Sequence, residues 1–269
     1  MTYTMLCSDL DGTLLGLKNR PTPYCCNTFK KYNKQIKMVL VSARMPSGMY
    51  YIQEALGIEN EPIVCYNGAL VLDRQKVISS TYITIELIEK VWAICENYGV
   101  AIGLYSHDEW FAPNPSERIT KEEFNTQTKV AFEPTTVTIS RWKKAEKGAH
   151  KLMLMGTKET ADKAIKQLEN TLGNVLGIYR SNDTLIEISP GSVDKCSGIK
   201  SLLDGLSSLK HIMAFGDNYN DMSMLQEAGL GIAVGNARKA VKEVADHVVA
   251  PFNEDGVAHF LEDFFNLKL

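Results

Sequence analysis

Two aspartates near the start of the chain, Asp9 and Asp11, are spaced so that they can act on one ligand. They lie in a D-L-D-G-T sequence directly after residues 3–7, whose mostly apolar alternation predicts a buried strand that ends where the acids begin. Two carboxylates this close repel each other, and a shared proton or a hard cation relieves the repulsion. Because a site made of oxygen ligands suits Mg²⁺, the pair is a candidate metal site.

An ordinary turn and a calcium loop are the two alternative interpretations of this stretch. A calcium loop needs further oxygen ligands and a closing glutamate at fixed offsets, whereas Leu14, Leu15 and Leu17 follow the acids here. The calcium loop is therefore excluded. A simple turn stays open for the stretch alone, so the case for a site depends on distant residues.

Candidate ligand-binding residues also follow the second and third predicted strands, at 36–41 and 63–66. They are Ser42, Ala43 and Arg44 after the second strand, and Asn67 and Gly68 after the third. A serine hydroxyl and amide between a strand and a helix are suited to a phosphate oxygen, although an ordinary helix cap is the simpler interpretation of Ser42 alone.

The last polar groups lie far along the chain. Lys195 opens a predicted helix, and near a phosphate such a lysine is a strong point charge, although most lysines are surface residues. A predicted strand at 212–215 leads into G-D-N-Y-N-D, which contains Asp217, Asn220 and Asp221. Asp217 and Asp221 are one helical turn apart, so both can face one cation.

The elements that would position these residues alternate between strand and helix at both ends of the chain. This alternation predicts an α/β fold with a parallel sheet, whose strands place ligands at their carboxyl ends. Residues 83–187 differ in texture and predict a separate α+β module inserted into the first domain, where it could act as a lid. The predicted helices are 22–34, 46–56, 85–98, 158–172, 194–206, 219–227 and 238–244, and residues 106–150 are mostly predicted as a polar stretch without a long regular element.

Composition limits the classes of function. The 269 residues carry a formal net charge of −3, which gives no basic field for nucleic acid. The six cysteines have no zinc-ligand or disulfide spacing, and the N-terminus has no signal-like or membrane-spanning apolar run. We therefore expect a cytoplasmic protein without a nucleic-acid or membrane partner, as a monomer or weak homo-oligomer.

Three other patterns are interpreted as structural. Gly229, Gly231 and Gly235 do not have dinucleotide-loop spacing and are predicted to form turns. Residues 107–110, from His107 to Trp110, are predicted to form a solvated turn, and 142–144 an exposed face.

Taken together, the polar residues resemble the haloacid dehalogenase-like hydrolase superfamily, specifically its Cof-type sugar phosphatases with a type IIB cap. The resemblance covers the whole chain: D-x-D-G-T, the serine, an inserted module, the lysine, then G-D-N-x-N-D before Met224 and Leu225. The first and last motifs, in this order and spacing, are highly specific, whereas Ser42 and Lys195 alone are weak signals. It implies a Rossmann-like parallel-sheet core at 1–82 and 188–269 with an inserted α+β cap at 83–187.

The resemblance also implies a role for each matched residue. Asp9 would be the nucleophile that forms an aspartyl-phosphate, and Asp11 the general acid and base. Mg²⁺ would be held by Asp9, the Asp11 carbonyl and Asp217, with Asp221 in support. The substrate and its phosphoryl group would be held by Ser42, Ala43, Arg44, Asn67, Gly68, Lys195 and Asn220. Asp194 departs from the family pattern, because an acid beside Lys195 could weaken its positive field.

The implied activity is a Mg²⁺-dependent phosphatase acting on small phosphorylated metabolites, with sugar phosphates expected. Two alternatives remain open at this point. A phosphomutase would use the same intermediate, and a phosphoacceptor module would be phosphorylated on Asp9 and read by a partner. The inserted module argues against the phosphoacceptor, since such modules are single small domains.

Overall fold

The computed structural model describes residues 3–16, 19–203 and 208–266. Within them the chain divides into two compact units. Unit 1 is formed by Met1–Ser79 and Asp194–Leu269, and unit 2 by Ser80–Val193. Each unit is built on its own sheet.

The strands and helices are numbered here in chain order. The strands are β1 (Met5–Ser8), β2 (Lys37–Val41), β3 (Ile63–Cys65), β4 (Leu70–Asp73), β5 (Lys76–Ser80), β6 (Ala101–Ser106), β7 (Glu109–Ala112), β8 (Ala131–Phe132), β9 (Lys151–Met155), β10 (Leu176–Asn182), β11 (Leu185–Pro190), β12 (Ile212–Gly216), β13 (Leu230–Ala233) and β14 (His247–Val248). The α-helices are α1 (Pro23–Tyr32), α2 (Ser47–Leu56), α3 (Ile85–Tyr98), α4 (Glu117–Thr126), α5 (Thr135–Lys144), α6 (Lys158–Leu172), α7 (Lys195–Lys200), α8 (Met222–Glu227), α9 (Lys239–Val244) and α10 (Gly256–Asn266).

The sheet of unit 1 has the strand order β14-β13-β12-β1-β2-β3-β4-β5. The pairs from β14 to β3 are parallel, and β4 pairs antiparallel with β3. β1 is buried along its whole length between β12 and β2, as expected for a parallel sheet that is covered on both faces. The carboxyl ends of β1, β2 and β12 therefore lie side by side. This arrangement confirms the predicted parallel-sheet α/β core.

Local signals in the sequence explain where the first helices begin and end. α1 starts where the Thr22 side chain accepts a hydrogen bond from the backbone N–H of Cys25, with Pro23 at the first helical position. α2 ends at Gly57, whose φ of 69° is left-handed, the conformation that glycine adopts at helix ends. These caps fix the lengths of the connections that bring β2 beside β1 and β3 beside β2.

Unit 2 has a six-stranded sheet in the order β10-β11-β9-β6-β7-β8. Its strands are antiparallel except for the pair β7 and β8. A cluster of buried apolar side chains lies between this sheet and helices α3, α5 and α6. The cluster includes Ile102, Leu104, Leu152, Leu154 and Ile186, which occupy alternate positions of β6, β9 and β11.

Residues 106–150 contain more structure than the sequence predicts. They hold β7, α4, β8 and α5. The prediction of a solvated turn at 107–110 is wrong for Trp110, which is buried in β7, and the prediction of an exposed face at 142–144 is wrong for Trp142, which is fully buried in α5. Ile139 and Trp142 form the short apolar face of α5. The charged residues around them make that face difficult to recognise in the sequence.

Two other boundaries also differ from the predictions. The helix predicted at 194–206 ends at Lys200, and residues 204–206 lie outside the described part of the chain. The predicted module boundary at 187 falls inside β11, which continues to Pro190 because it pairs with β10 along that length. None of the helices in the described ranges is both long and apolar enough to cross a membrane.

Candidate active site

Asp9 lies one residue beyond the end of β1, at the carboxyl edge of the parallel sheet. Its backbone N–H donates to the Phe215 carbonyl at 3.0 Å, which ties it to β12. Its Oδ1 accepts a hydrogen bond from Lys195 Nζ at 2.6 Å. Its Oδ2 is buried and has no hydrogen-bond partner. A buried carboxylate oxygen without a partner is costly, so this atom points to a ligand.

Lys195 and Asp221 form the floor of the site. Lys195 is the first residue of α7, its side chain is fully buried, and its Nζ also donates to Asp221 Oδ1 at 2.6 Å. The second oxygen of Asp221 accepts from the backbone N–H groups of Asp217 and Asn218, both at 2.9 Å. The helical turn at Tyr219–Asp221 brings the Asp221 carboxylate back over those amides. Asp221 therefore already accepts three hydrogen bonds from the protein itself.

Asp217 completes the acidic cluster. One carboxylate oxygen each from Asp9, Asp217 and Asp221 lies within 4.8 Å of the others. Asp217 Oδ1 accepts from Thr13 Oγ1 at 3.2 Å. A Cβ at Gly12, where φ is +90°, would lie 2.7 Å from Asp217 Oδ2, so only glycine leaves room for this carboxylate.

The donor set of this cluster fits a hard divalent cation. It consists of oxygen atoms only, and the Oδ2 atom of Asp9 has no hydrogen-bond partner in the protein. Burial raises the pKa of Asp9 well above its usual value, against the attraction of Lys195. Burial, with the neighbouring Asp221, raises the pKa of Asp217 to about 6. A bound cation would favour the ionised form of both groups.

Lys195 remains a cation in this environment. Burial alone would lower its pKa, but Asp221 and Asp9 raise it above the ordinary value. The carboxylate of the neighbouring Asp194 is engaged elsewhere, because it caps α7 by accepting a hydrogen bond from the Ser197 N–H at 2.7 Å. The expected weakening of the Lys195 positive field by Asp194 stays a prediction.

Asp11 lies at the open side of the site, outside the acidic cluster. Its side chain is 53% exposed, yet both of its oxygens are held by Arg44. Arg44 Nε donates to Oδ2 at 2.8 Å and Nη2 donates to Oδ1 at 2.5 Å. The Arg44 guanidinium is thus directed at Asp11.

The remaining predicted substrate residues converge through hydrogen bonds of their backbone and side chains. The backbone N–H of Asn67 donates to the Ser42 carbonyl at 2.9 Å, and Asn220 Nδ2 donates to Asn67 Oδ1 at 3.1 Å. Ser42 Oγ accepts from the Arg44 N–H at 3.2 Å, while Ala43 is half-buried between these two residues. The structure thereby brings the loops after β2, β3 and β12 together beside Asp9.

Gly68 joins this loop cluster to the start of α7. Its φ is +100°, and a Cβ there would lie 2.1 Å from the Asp194 carbonyl oxygen. Backbone therefore packs directly on backbone at this point, and a side chain at Gly68 would displace α7 and with it Lys195.

Both the sequence and the fold of the chain match known proteins. A family model described as haloacid dehalogenase-like hydrolase matches residues 6–261. The chain belongs to this family. Its members generally use a divalent metal, and the acidic cluster is where such an ion would fit.

Individual relatives agree with the family assignment. A Bacillus subtilis protein named 5-amino-6-(5-phospho-D-ribitylamino)uracil phosphatase is 30% identical over 275 residues, covering 98% of each chain. A crystal structure of a haloacid dehalogenase-like hydrolase from Bacteroides thetaiotaomicron has a TM-score of 0.89 at 25% identity, covering 98% of this chain and 100% of that one. A Thermotoga maritima protein has a TM-score of 0.87 at 28% identity, covering 97% of both chains. This chain is a Cof-type enzyme of the phosphatase class.

Sequence reasoning missed two residues at the candidate active site of this haloacid dehalogenase-like hydrolase. Asn236 donates from Nδ2 to the Gly12 carbonyl at 2.7 Å, and the Arg238 N–H donates to the Asp217 carbonyl at 2.9 Å. Both follow β13, the strand beside β12. The rule that polar residues at carboxyl strand ends build the site identifies Asn236, whereas the glycine pattern of its loop predicts only a turn.

Proposed function

We propose that this hydrolase is a Mg²⁺-dependent phosphatase that removes phosphate from a small phosphorylated metabolite through an aspartyl-phosphate on Asp9. The observation that carries the proposal is the unequal environment of the two Asp9 oxygens. Oδ1 is bonded to Lys195, whereas the buried Oδ2 has no partner. A carboxylate held in this way is oriented and has one oxygen available for chemistry.

The proposed reaction has two displacements at phosphorus. In the first, an Asp9 oxygen forms a bond to phosphorus while the bond to the substrate alcohol breaks, and Asp11 gives its proton to the departing oxygen. In the second, water attacks the same phosphorus, Asp11 takes a proton from it, and the bond to Asp9 breaks. Inorganic phosphate leaves, and both carboxylates return to their starting states.

The metal in this proposal is Mg²⁺, which Asp9, Asp217 and the Asp11 carbonyl would hold, with Asp221 in support. When bound, it offsets negative charge on the phosphoryl oxygens during the transfer. Lys195 supplies a second, permanent positive charge to the same place. Asp221 then has a structural task as well, since it holds Lys195 at 2.6 Å.

We assign the holding of the phosphoryl group to Ser42, Asn220 and Lys195. The loops that carry Ala43, Asn67 and Gly68 position those groups, since Asn67 bonds both Ser42 and Asn220. Unit 2 is proposed to be the cap domain and unit 1 the catalytic core, for which the sequence predicts the bounds 83–187 and 1–82 with 188–269.

The proposed substrate class is a phosphorylated sugar or sugar alcohol. The Bacillus subtilis relative is named for a 5-phospho-D-ribitylamino compound. The net charge of −3 also favours a small substrate over a polyanion.

A metabolite panel tests the proposed function. Purified protein treated with EDTA is incubated with sugar and sugar-alcohol phosphates, including the ribitylaminouracil phosphate, before and after Mg²⁺ is added, and released phosphate is measured. We expect release only with Mg²⁺, and a covalent phosphate on the peptide that contains Asp9 after rapid acid quench. Asp9→Asn should abolish both signals, whereas Asp73→Asn, a change at the end of β4, should alter neither. A bisphosphate requirement would indicate a phosphomutase instead.

A further inference from the structure

Arg44 is the charged group of the site whose contacts differ most from its expected role. Four of the five N–H groups of a guanidinium are engaged here. Two are directed to Asp11, one to the Gly48 carbonyl at 3.2 Å and one to Tyr51 Oη at 2.8 Å. A residue that binds the phosphoryl group would present these N–H groups to the substrate.

The burial of the two partners is strongly unequal. The Arg44 side chain is 3% exposed, whereas that of Asp11 is 53% exposed. The guanidinium is therefore the fixed member of the pair, and the carboxylate is the member that a ligand can reach. Without Arg44, an exposed aspartate side chain would sample several rotamers.

A chain of hydrogen bonds anchors the guanidinium. Tyr51 Oη accepts from Arg44 Nη1 and donates to the Asn19 carbonyl at 2.9 Å. Tyr51 belongs to α2, and Asn19 belongs to the loop that follows the D-L-D-G-T sequence. The same loop that carries Asp11 is thus tied to α2 on the far side of Arg44.

The bidentate contact leaves the carboxylate usable. Each carboxylate oxygen has two lone-pair sites, and Arg44 occupies one on each oxygen. The remaining site on either oxygen can exchange a proton with a leaving group or with water. We propose that Arg44 is a positioning residue that holds Asp11 at the leaving-group side of the substrate, and that it is not a ligand of the phosphoryl group. This inference rests on the proposed function, in which Asp11 is the general acid and base.

Leaving-group dependence separates the two roles of Arg44. A poor leaving group needs the proton from Asp11, whereas 4-nitrophenolate departs without it. For Arg44→Met we expect the single-turnover rate of aspartyl-phosphate formation to fall on the order of 10²-fold with unsubstituted phenyl phosphate and only a few-fold with 4-nitrophenyl phosphate, since a displaced catalytic group costs about that much. Inhibition by inorganic phosphate should stay unchanged. Equal losses on both substrates with weaker phosphate inhibition would show that Arg44 binds the phosphoryl group.

Further variants keep the test decisive if Arg44→Met does not fold. Arg44→Lys keeps the charge but loses the fork, and Tyr51→Phe keeps the guanidinium but removes its support; both should increase leaving-group dependence, the second less than the first. In an Asp11→Asn background, Arg44→Lys should cause no further increase, because the group it positions is gone. Arg74→Met, at an exposed arginine outside the site, controls for the loss of one charge.

The wild-type protein distinguishes failure of this inference from failure of the proposed function. If wild type hydrolyses neither aryl phosphate, the phosphatase proposal fails. If it hydrolyses both and the variants keep the wild-type ratio of the two rates, only the role of Arg44 is wrong.

Discussion

The two units of the protein each bury a lysine, and they do so in opposite ways. In unit 1 the fully buried Lys195 lies between two carboxylates at 2.6 Å. In unit 2 the nearly buried Lys151 lies over the Tyr105 ring at 4.6 Å, with an ion-pair contact to Glu187 at 3.7 Å. Both units bury apolar side chains, but unit 1 buries its lysine among carboxylates, whereas unit 2 buries its lysine against an aromatic ring.

The two kinds of buried contact contribute differently to the free energy of unfolding. Buried ions give little net stability, because desolvation offsets most of their attraction. The proposed function gives a reason why three buried ionic side chains are kept at one sheet edge. The packing of apolar side chains in unit 2 serves stability directly.

Removing each lysine is the strongest test of this comparison. Lys195→Met leaves Asp9 and Asp221 buried without their partner, so we expect a loss of about 3–5 kcal/mol in the free energy of unfolding. Lys151→Met keeps the stem packed on Tyr105 and should cost about 1 kcal/mol or less. Urea unfolding in EDTA, followed by fluorescence, measures both. Similar losses for the two variants would mean that the two units bury charge in the same way.

Metal binding should stabilise unit 1 alone. At a Mg²⁺ concentration about 100 times the dissociation constant, a ligand that binds only the folded state adds about 2.7 kcal/mol. Asp217→Asn should remove most of this gain, whereas Asp183→Asn, at an exposed position of unit 2, should keep it. Thermal unfolding with and without Mg²⁺ measures the gain.

Calcium sharpens the same prediction. Ca²⁺ takes more oxygen ligands at longer distances than Mg²⁺, so we expect it to stabilise the fold but to inhibit turnover. Full turnover with Ca²⁺ alone, or in EDTA, would contradict the proposed metal site.

Acid should act on unit 2 through His150. Burial lowers the pKa of this histidine to about 3, and its Nδ1 accepts a hydrogen bond from the His107 N–H at 3.1 Å. The unfolded chain, with a pKa near 6.5, then binds more protons, so stability falls as the pH drops from about 6.5 towards 3. Between pH 7 and pH 5 this one residue should cost about 2 kcal/mol. His150→Asn should reduce the pH slope of unfolding by that amount, and an unchanged slope would show that His150 is charged when folded.

Two glycines with left-handed backbone conformations, one in each unit, differ in what a side chain would contact. Gly99 has a φ of +65°, and a Cβ there meets nothing within 4 Å, whereas a Cβ at Gly12 meets Asp217 Oδ2. Gly99→Ala should cost about 1 kcal/mol, from backbone strain alone. Gly12→Ala should show a similar strain and, unlike Gly99→Ala, should weaken Mg²⁺ binding. Isothermal titration with Mg²⁺ decides between them, and equal affinities would mean that Asp217 has room to move.

The sequence predicts the site of unit 1 better than the structure of unit 2. Asp9, Asp217 and Asp221 could be found because the carboxyl ends of the strands in a parallel sheet lie together. Short motifs that are far apart in the chain therefore indicate the same site. Trp142 could not be placed, because its short helix has one apolar face between charged residues and looks solvated. The contact between Arg44 and Asp11 was also missed. Partners 33 residues apart are chosen by the tertiary fold, and Arg44 alone fits a phosphate ligand equally well.

The position of β1 has a consequence for how the chain reaches this fold. β1 precedes the other described strands in the chain, yet its neighbour β12 follows about 200 residues later, after the whole of unit 2. Unit 2 is contiguous in the chain, so it can close before unit 1 does, whereas the pairing of β1 with β12 has to wait for the distant strand. We therefore expect Asp9 to gain Lys195, Asp217 and Asp221 late in folding. The candidate site would then be assembled together with the sheet that carries it.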